Sequence, residues 1–376
     1  MAWITGVGDT AFGRREGETP LSLMAEAAAA ALADAALERR DIDGLLCGYA
    51  ASLPHLMLAT LFAEHFGLAP HYAHAVAAGG ATGAAMVMLA QRLVDAGECR
   101  NLLVVAGDNR LSGQGTDRAV AMLAETGHRD YEVPFGPTIP AYYGLVASRY
   151  MHVHGVSEAD LADFAVLMRS HAALHPGAQF RTPITRDDVL ASRPIAAPLK
   201  LLDCCPVSDG ACALVVSATA GKGRVRIAGA AQLHRHQHVS AAADLADFGL
   251  AACAERAREE AGIAIDDVDF LAIYDSFTIT LLILLEETGF APRGKAADRL
   301  RAGVFGRDGL WPLNTHGGLL SFGHSGVAGG LAHVVETTRQ LGGRAGARQV
   351  RQPEIAFLHG DGGVMSSHVS LVLRRE

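Results

Sequence analysis

The chain runs to 376 residues, half of them hydrophobic, 19% charged and only 6% aromatic, with 42 glycines and a formal net charge of −8. That length buries one large core or two fused ones, and so many small residues point to helices packed tightly on buried strands, not to a disordered or fibrous chain. The acidic balance excludes nucleic acid as the main partner, because phosphate binding needs a basic face, and no apolar run reaches the length of a bilayer span.

The opening segment MAWITGVGDTAFG has no basic start, long apolar run or cleavage site, so it is not a signal peptide. It reads as the first strand, WITGVG at Trp3–Gly8, of a cytoplasmic protein. An Ala-rich amphipathic helix is predicted over Pro20–Arg39. The stretch DIDGLLCG at Asp41–Gly48 starts with an acidic turn and runs into a buried strand. A Gly-rich turn then opens a long apolar helix, GGATGAAMVMLAQRLV at Gly79–Val94, and the strand NLLVVAGD follows at Asn101–Asp108.

From Arg110 to Lys200 the rhythm breaks. This stretch holds GPTIPAYYG, several His and Arg residues, and a helical pattern near Ser157–Leu174. So long an excursion is predicted to form a lid or cap; a plain insertion without a role is the alternative. The first pattern then returns. VRIAGAA at Val225–Ala231 echoes WITGVG, and Ala241–Ala261 echoes the first helix. DVDFLAIYD at Asp267–Asp275 echoes DIDGLLCG, GHSGVAGGLAHVVETTRQL at Gly323–Leu341 echoes the Gly79 helix, and EIAFLHGD at Glu354–Asp361 echoes NLLVVAGD. An internal repeat on this scale marks a duplicated unit. Strands with continuous Val/Ile/Leu runs, alternating with helices, predict an α/β fold of parallel sheets covered on both faces. The divisions fall at 1–109 for the first part of the N-terminal half, 110–200 for the inserted loop or cap region, 201–223 for the end of that half, and 224–376 for the C-terminal half.

Six cysteines stand at Cys47, Cys99, Cys204, Cys205, Cys212 and Cys253, with no CxxC spacing, so neither a zinc site nor a thioredoxin-like motif is expected. Most lie in apolar runs, where a free thiol packs as a small hydrophobe, and a reducing compartment keeps them unpaired.

Three C-terminal motifs carry the chemistry: YDSF at Tyr274–Phe277, NTHGG and GHSG within Asn314–Gly326, and HGDGG at His359–Gly363. Together with GPTIPAYYGLVASRYM at Gly136–Met151, AQFRTPIT at Ala178–Thr185 and LLDCCPVSDGACALVVS at Leu201–Ser217, they resemble the thiolase superfamily over essentially the whole chain. The likeness is greatest to the sterol-carrier-protein or lipid-transfer-protein type of bacterial thiolase-like protein. The resemblance implies a duplicated thiolase fold: two βαβαβαββ-type halves in five αβαβα layers, with the inserted cap. It also implies a homodimer paired through an edge strand, identified here with NLLVVAGD.

In that family a nucleophilic Cys, an Asn, a His and an acid/base Cys do the chemistry. Carried over by motif, these positions fall on Gly80, Tyr274, His324 and His359, so only the His is kept, and Ser325 replaces the Pro that follows it. Gly80 cannot attack a thioester, so thiolase activity is not expected. The backbone of Gly80, Ala81 and Thr82 opens a helix, where peptide N–H groups can bind a thioester oxygen, and loss of the thiol is expected to enlarge the pocket. Thr82 reads as a helix cap before it reads as a nucleophile.

His324 is placed to hydrogen-bond a thioester oxygen and stabilise an enolate. Tyr274, with a usual pKa of about 10, can donate to that oxygen or, as phenolate, take a hydroxyl proton. His359, at the end of a strand, can act as acid or base near its usual value of about 6.5; which of Tyr274 and His359 is the base stays open. Asp275 reads as the cap of the helix after it. Asn314 and Asp361 support the site, Asp361 by orienting His359 or capping the turn. His316 and His368 read as structural or surface residues.

A reaction that uses an acyl-CoA enolate but no acyl-enzyme is retro-aldol cleavage of a β-hydroxyacyl-CoA. The resemblance points the same way, to aldolases of steroid side-chain degradation that work with a small OB-fold and zinc-ribbon partner. The expectation is therefore the thiolase-like subunit of an acyl-CoA aldolase, a lyase of lipid metabolism. No cofactor is expected beyond the coenzyme A that carries the substrate, no metal, and a homodimer or a heterotetramer with the small partner. The rivals are an acyltransferase or retro-Claisen enzyme using Cys204 or Cys205, and a non-catalytic lipid-transfer or scaffold subunit.

Overall fold

In a computed structural model, which describes residues 1–115 and 126–376, the first half comprises β1 (Trp3–Asp9), α1 (Pro20–Ala35), β2 (Gly44–Gly48), α2 (Leu58–Phe66), β3 (Tyr72–Val76), α3 (Thr82–Asp95) and β4 (Asn101–Asn109). Part of the inserted region, residues 116–125, lies outside the described residues. The rest holds α4 (Ile139–His154), α5 (Glu158–Ala172), α6 (Arg186–Ala191) and a ribbon of β5 (Pro194–Ala196) with β6 (Leu199–Lys200), before β7 (Asp209–Ser217) closes the half. The second half comprises β8 (Val225–His234), α7 (Ala251–Ala261), β9 (Phe270–Ile273), α8 (Thr278–Glu287), α9 (Ala296–Arg301), α10 (Gly318–Ser321), α11 (Val327–Leu341), β10 (Ile355–Gly362) and β11 (Ser367–Arg375).

Nine strands pair in the order β3-β2-β4-β7-β1-β8-β11-β10-β9. The order β1-β7-β4-β2 of the first half is repeated as β8-β11-β10-β9 in the second, so the duplication is real in space. Within the sheet the halves join where Trp3 and Ile4 of β1 meet Arg226 and Val225 of β8. The unbroken apolar runs of β2, β4 and β7 follow from burial of both faces. Leu102, Val104 and Ala106 of β4 face a central core with α3 and α11, whereas Leu103 and Val105 face an outer core with α1 and α2. Helix α7 covers the corresponding outer face of the second half. The layers are therefore α-β-α-β-α. Where α3 crosses α11, Gly83 lets the backbones meet, because a Cβ there would lie 2.7 Å from the Leu331 peptide nitrogen.

Local chemistry sets the helix ends. Thr19 accepts a hydrogen bond from the Ser22 peptide N–H and Pro20 begins α1, while Ser157 caps α5 through the Asp160 N–H. The helix expected from Ala241 starts only at Ala251; His238–Leu250 is an irregular segment tied by Asp244, Asp247 and Glu287 to backbone N–H groups. The sheet also differs from the all-parallel expectation. The β1/β7, β4/β7, β8/β11 and β10/β11 pairs are antiparallel, and the β2/β3, β2/β4 and β9/β10 pairs parallel. A tight turn joins β10 to β11, and β7 returns from the inserted region in the reverse sense, a reversal that apolar runs do not encode. Strand β4 is interior, flanked by β2 and β7; the open edge of the first half is β3, not NLLVVAGD. Among the described residues no helix is long and apolar enough to cross a membrane.

Candidate active site

The pseudo-symmetric helices α3 and α11 start side by side, and the loops after β9 and β10 close over them. Gly80 sits at the bottom of this junction. A Cβ built on it would collide with the Tyr274 hydroxyl and with the Asp361 carbonyl oxygen. Losing the thiol has therefore not enlarged the pocket, contrary to the expectation from sequence: the Tyr274 phenol fills the space. The hydroxyl of Thr82 is spent within the turn, donating to the Gly79 carbonyl at 2.6 Å and accepting from the Ala78 N–H at 2.8 Å. Ala81 caps α3 by position and is fully buried.

Tyr274 leaves β9 with its peptide N–H bonded to the His359 carbonyl, 2.9 Å. Asn314, at a positive φ of 46°, clamps the same strand end by bonding both the N–H and the carbonyl of Ile273, at 2.9 and 2.7 Å. The Tyr274 ring is 4% exposed, and its hydroxyl lies 3.1 Å from His324 Nε2. Asp275 does not cap α8. Its carboxylate accepts the Leu319 N–H at 2.7 Å and so caps α10, with His333 Nε2 3.4 Å away.

His324 is fixed by its backbone. Its N–H donates to Ser208 Oγ at 2.9 Å and its carbonyl accepts the Ser208 N–H at 3.1 Å. The Ser325 hydroxyl, in place of a proline, lies 2.8 and 2.9 Å from the carbonyls of Asp108 and Gly210, tying the turn to β4 and β7. Burial lowers the His324 imidazole to about 3, with Arg110 adding to the effect, so the ring is neutral. Its Nδ1 has no hydrogen-bond partner. Burial raises Tyr274 well above the usual phenol value; Cys205, Asp361 and Tyr49 add to this and Arg110 opposes it. The result is a neutral phenol beside a neutral imidazole, a pair able to pass one proton between them.

His359 is buried, and its ring is directed away from this pair. Nδ1 lies 2.8 Å from Ser370 Oγ and Nε2 lies 3.3 Å from His368 Nδ1. Among the described residues no hydrogen bond or ring contact joins its imidazole to the side chain of Tyr274 or His324. Asp361, two residues on, stays at the junction: its Oδ2 accepts the Tyr143 hydroxyl at 3.0 Å, while Oδ1 is buried without a partner. His368 and His316 are both buried, not surface residues. Sequence reasoning missed Tyr143, which stacks on Phe277 with centroids 4.3 Å apart; its one signal was the Tyr pair inside GPTIPAYYG. It also missed Arg110 and the Asp108 carboxylate, which holds the loop after β2 through the Ala51 N–H at 2.6 Å.

All six cysteines are free. Burial pushes Cys204 up to about 12 and Cys205 higher still, so neither is a ready thiolate. Among the described residues no group of three His, Cys, Asp or Glu is arranged to hold a metal.

Residues 2–220 match the thiolase N-terminal domain and residues 231–375 the thiolase C-terminal domain-like family. A steroid side-chain-cleaving aldolase of Thermomonospora curvata is 34% identical over 361 residues, spanning 90% of each chain. A 17-hydroxy-3-oxo-4-pregnene-20-carboxyl-CoA lyase of Mycobacterium tuberculosis is 33% identical, over 91% of this chain and 92% of that protein. An acetyl-CoA acetyltransferase of Methanothermobacter thermautotrophicus is 28% identical over 97% of this chain and 98% of its own. Among solved structures, the Ltp2-ChsH2(DUF35) aldolase matches with a TM-score of 0.85 and 32% identity, over 100% of this chain and 97% of that chain. The chain belongs to the thiolase superfamily.

Proposed function

We propose that this thiolase-superfamily chain is the catalytic subunit of an acyl-CoA aldolase, a carbon–carbon lyase that cleaves a β-hydroxyacyl-CoA with a bulky tail such as a steroid side chain. One observation carries the reading: the Tyr274 hydroxyl stands where a side chain at position 80 would stand, 3.1 Å from His324 Nε2. A proton-transfer pair has taken the nucleophile's place. Relatives named as a steroid side-chain-cleaving aldolase and a CoA lyase support the same class.

In the reaction the β-hydroxyl proton passes to the Tyr274 oxygen as the Tyr274 proton passes to His324 Nε2. The Cα–Cβ bond breaks, its electron pair moves onto Cα and the thioester oxygen, and a ketone or aldehyde leaves. The imidazolium formed at His324 faces the enolate and stabilises it in a site with little water, where such charge interactions are strong. Burial serves this step, because a histidine already protonated at neutral pH could not accept the proton. His359 supports the HGDGG loop through His368 and Ser370. The substrate arrives as a coenzyme A thioester and no resident cofactor is required. The assembly is a homodimer formed at the open β3 edge, or a heterotetramer with two copies of a small OB-fold, zinc-ribbon partner. The DUF35 component in the matching aldolase structure supports such a partner.

Incubation with β-hydroxyacyl-CoA esters, with and without a DUF35-type partner, tests the reading by mass spectrometry. The expected products are a shortened acyl-CoA and a free ketone or aldehyde in equal amounts. Absence of cleavage in the complex, or covalent trapping of a radiolabelled acyl group on Cys204 or Cys205, would overturn it.

A further inference from the structure

The retro-aldol step leaves an acyl-CoA enolate that needs a proton at Cα, and His359, which sequence alone puts forward, faces elsewhere. The hydrogen bonds of the β10–β11 hairpin assign the protons. His368 Nε2 lies 3.1 Å from the Met365 carbonyl and must donate to it, which leaves Nδ1 as an acceptor. His359 Nε2 donates into that acceptor at 3.3 Å, and His359 Nδ1 accepts from Ser370 at 2.8 Å. His368 therefore has no hydrogen to offer Asp361 Oδ1, which lies 3.6 Å from its Nδ1. Asp361 Oδ2 accepts from Tyr143 at 3.0 Å. An ionised Asp361 would leave Oδ1 buried without a hydrogen bond of its own, an expensive state. A protonated Asp361 carries its hydrogen on Oδ1, which has no hydrogen-bond partner; the nearby acceptor, His368 Nδ1 at 3.6 Å, already takes the His359 hydrogen.

We propose that Asp361 is the acid that protonates the enolate at Cα, with Tyr143 as the positioning residue that holds its carboxyl group. The inference rests on the enolate chemistry proposed above. Its place fits: the Asp361 backbone packs on the Gly80 turn, and Gly363 packs on Gly79, whose Cβ would lie 2.7 Å from the Gly363 nitrogen. Burial pushes the Asp361 carboxyl well above the usual carboxylate range, against smaller opposing effects from Tyr143 and the Met365 and Gly362 peptides. In the step the Asp361 O–H bond breaks and a C–H bond forms at Cα from the enolate electron pair, which restores the thioester carbonyl. Asp361 is left as a carboxylate accepting from Tyr143. It regains a proton as the His324 imidazolium releases one through solvent, so the cycle closes.

The reverse of this step is readable with simple probes. Full-length protein, with a DUF35-type partner where one is required, is incubated with propionyl-CoA in D2O, and α-deuterium uptake is followed by mass spectrometry. The wild type should exchange. Asp361→Asn should exchange at least roughly 100-fold more slowly, and Tyr143→Phe should show an intermediate loss. In a single turnover of a β-hydroxyacyl-CoA, Asp361→Asn should still release the ketone. An infrared difference spectrum, wild type minus Asp361→Asn at neutral pH, should show the carbonyl band of a protonated carboxyl group without any substrate present. Wild-type exchange in Asp361→Asn, or an ionised carboxylate in the difference spectrum, would overturn the assignment and leave the aldolase reading standing. No exchange even in the wild type would overturn both.

Discussion

Replacing Gly80 by alanine puts the site under the most direct strain. The backbone itself tolerates the change, because Gly80 is not among the residues at positive φ. The methyl group, however, would overlap the Tyr274 hydroxyl and the Asp361 carbonyl, and the tyrosine would have to retreat by roughly 1 Å to restore ordinary contact. The carbonyl belongs to β10, an interior strand held at this point by its ladder to β11, and has little room to retreat. Overpacking of this kind costs about 1–3 kcal/mol. A displacement of roughly 1 Å at a reacting group also costs about 100-fold in rate. Gly80→Ala should therefore lose about 1–3 kcal/mol in chemical denaturation and about two orders of magnitude in cleavage. Tyr274→Ala in the same chain should return part of the stability, with a coupling of roughly 0.5–3 kcal/mol in the double-mutant cycle, but none of the activity. Gly80→Cys should behave like Gly80→Ala and gain no thiolysis of acetoacetyl-CoA. A Gly80→Ala protein with wild-type stability and turnover would refute the argument that Tyr274 has replaced the nucleophile.

Tyr274→Phe removes one oxygen and should slow cleavage by roughly two to four orders of magnitude with little change in substrate binding, and His324→Ala should raise the barrier by about 2.7–4 kcal/mol. Normal steady-state rates in both variants would place the chemistry elsewhere and favour a lipid carrier or scaffold. Stability should fall below neutral pH. Burial holds His171, His175 and His368 at about 4 and His324 at about 3. The unfolded chain takes up these protons near pH 6.5 and the folded chain does not, so stability is lost as pH falls from about 6.5 toward 4. Each group contributes up to about 1.4 kcal/mol per pH unit there. Asp275 and Asp361, raised by burial, act with the opposite sign and moderate the slope; a denaturation midpoint that stays flat or rises across that window would contradict the assignment. Light scattering at micromolar concentration should give at least a dimer, and a monomer mass would argue against pairing at the β3 edge.

The duplication was legible in the sequence because each half must bury the same pattern. WITGVG and VRIAGAA become β1 and β8, and the two Gly-led apolar helices become α3 and α11, as their periodicity requires. The absence of a side-chain nucleophile at Gly80 was also legible, because a side chain's chemistry travels with its identity; that the Tyr274 hydroxyl lies 3.1 Å from His324 Nε2 was not. Strand direction was not, since a buried strand is apolar on both faces whichever way it runs. Nor was the sheet edge, so β4 passed for an edge that is in fact β3.

Asp275 could be read as a cap, but which helix it caps depends on α10, which arrives more than forty residues later. His359 and Asp361 share one face of β10, and their roles turn on the partners each meets there: His368 and Ser370 for the first, and for the second Tyr143, more than two hundred residues upstream. Most decisive was the use of the space beside Gly80. The sequence shows a missing thiol; only the tertiary structure shows that a phenol from the other half of the duplication has filled its place. Composition and periodicity fix which residues are buried and in what elements, but a site assembled across two halves is fixed by packing between segments far apart in the chain.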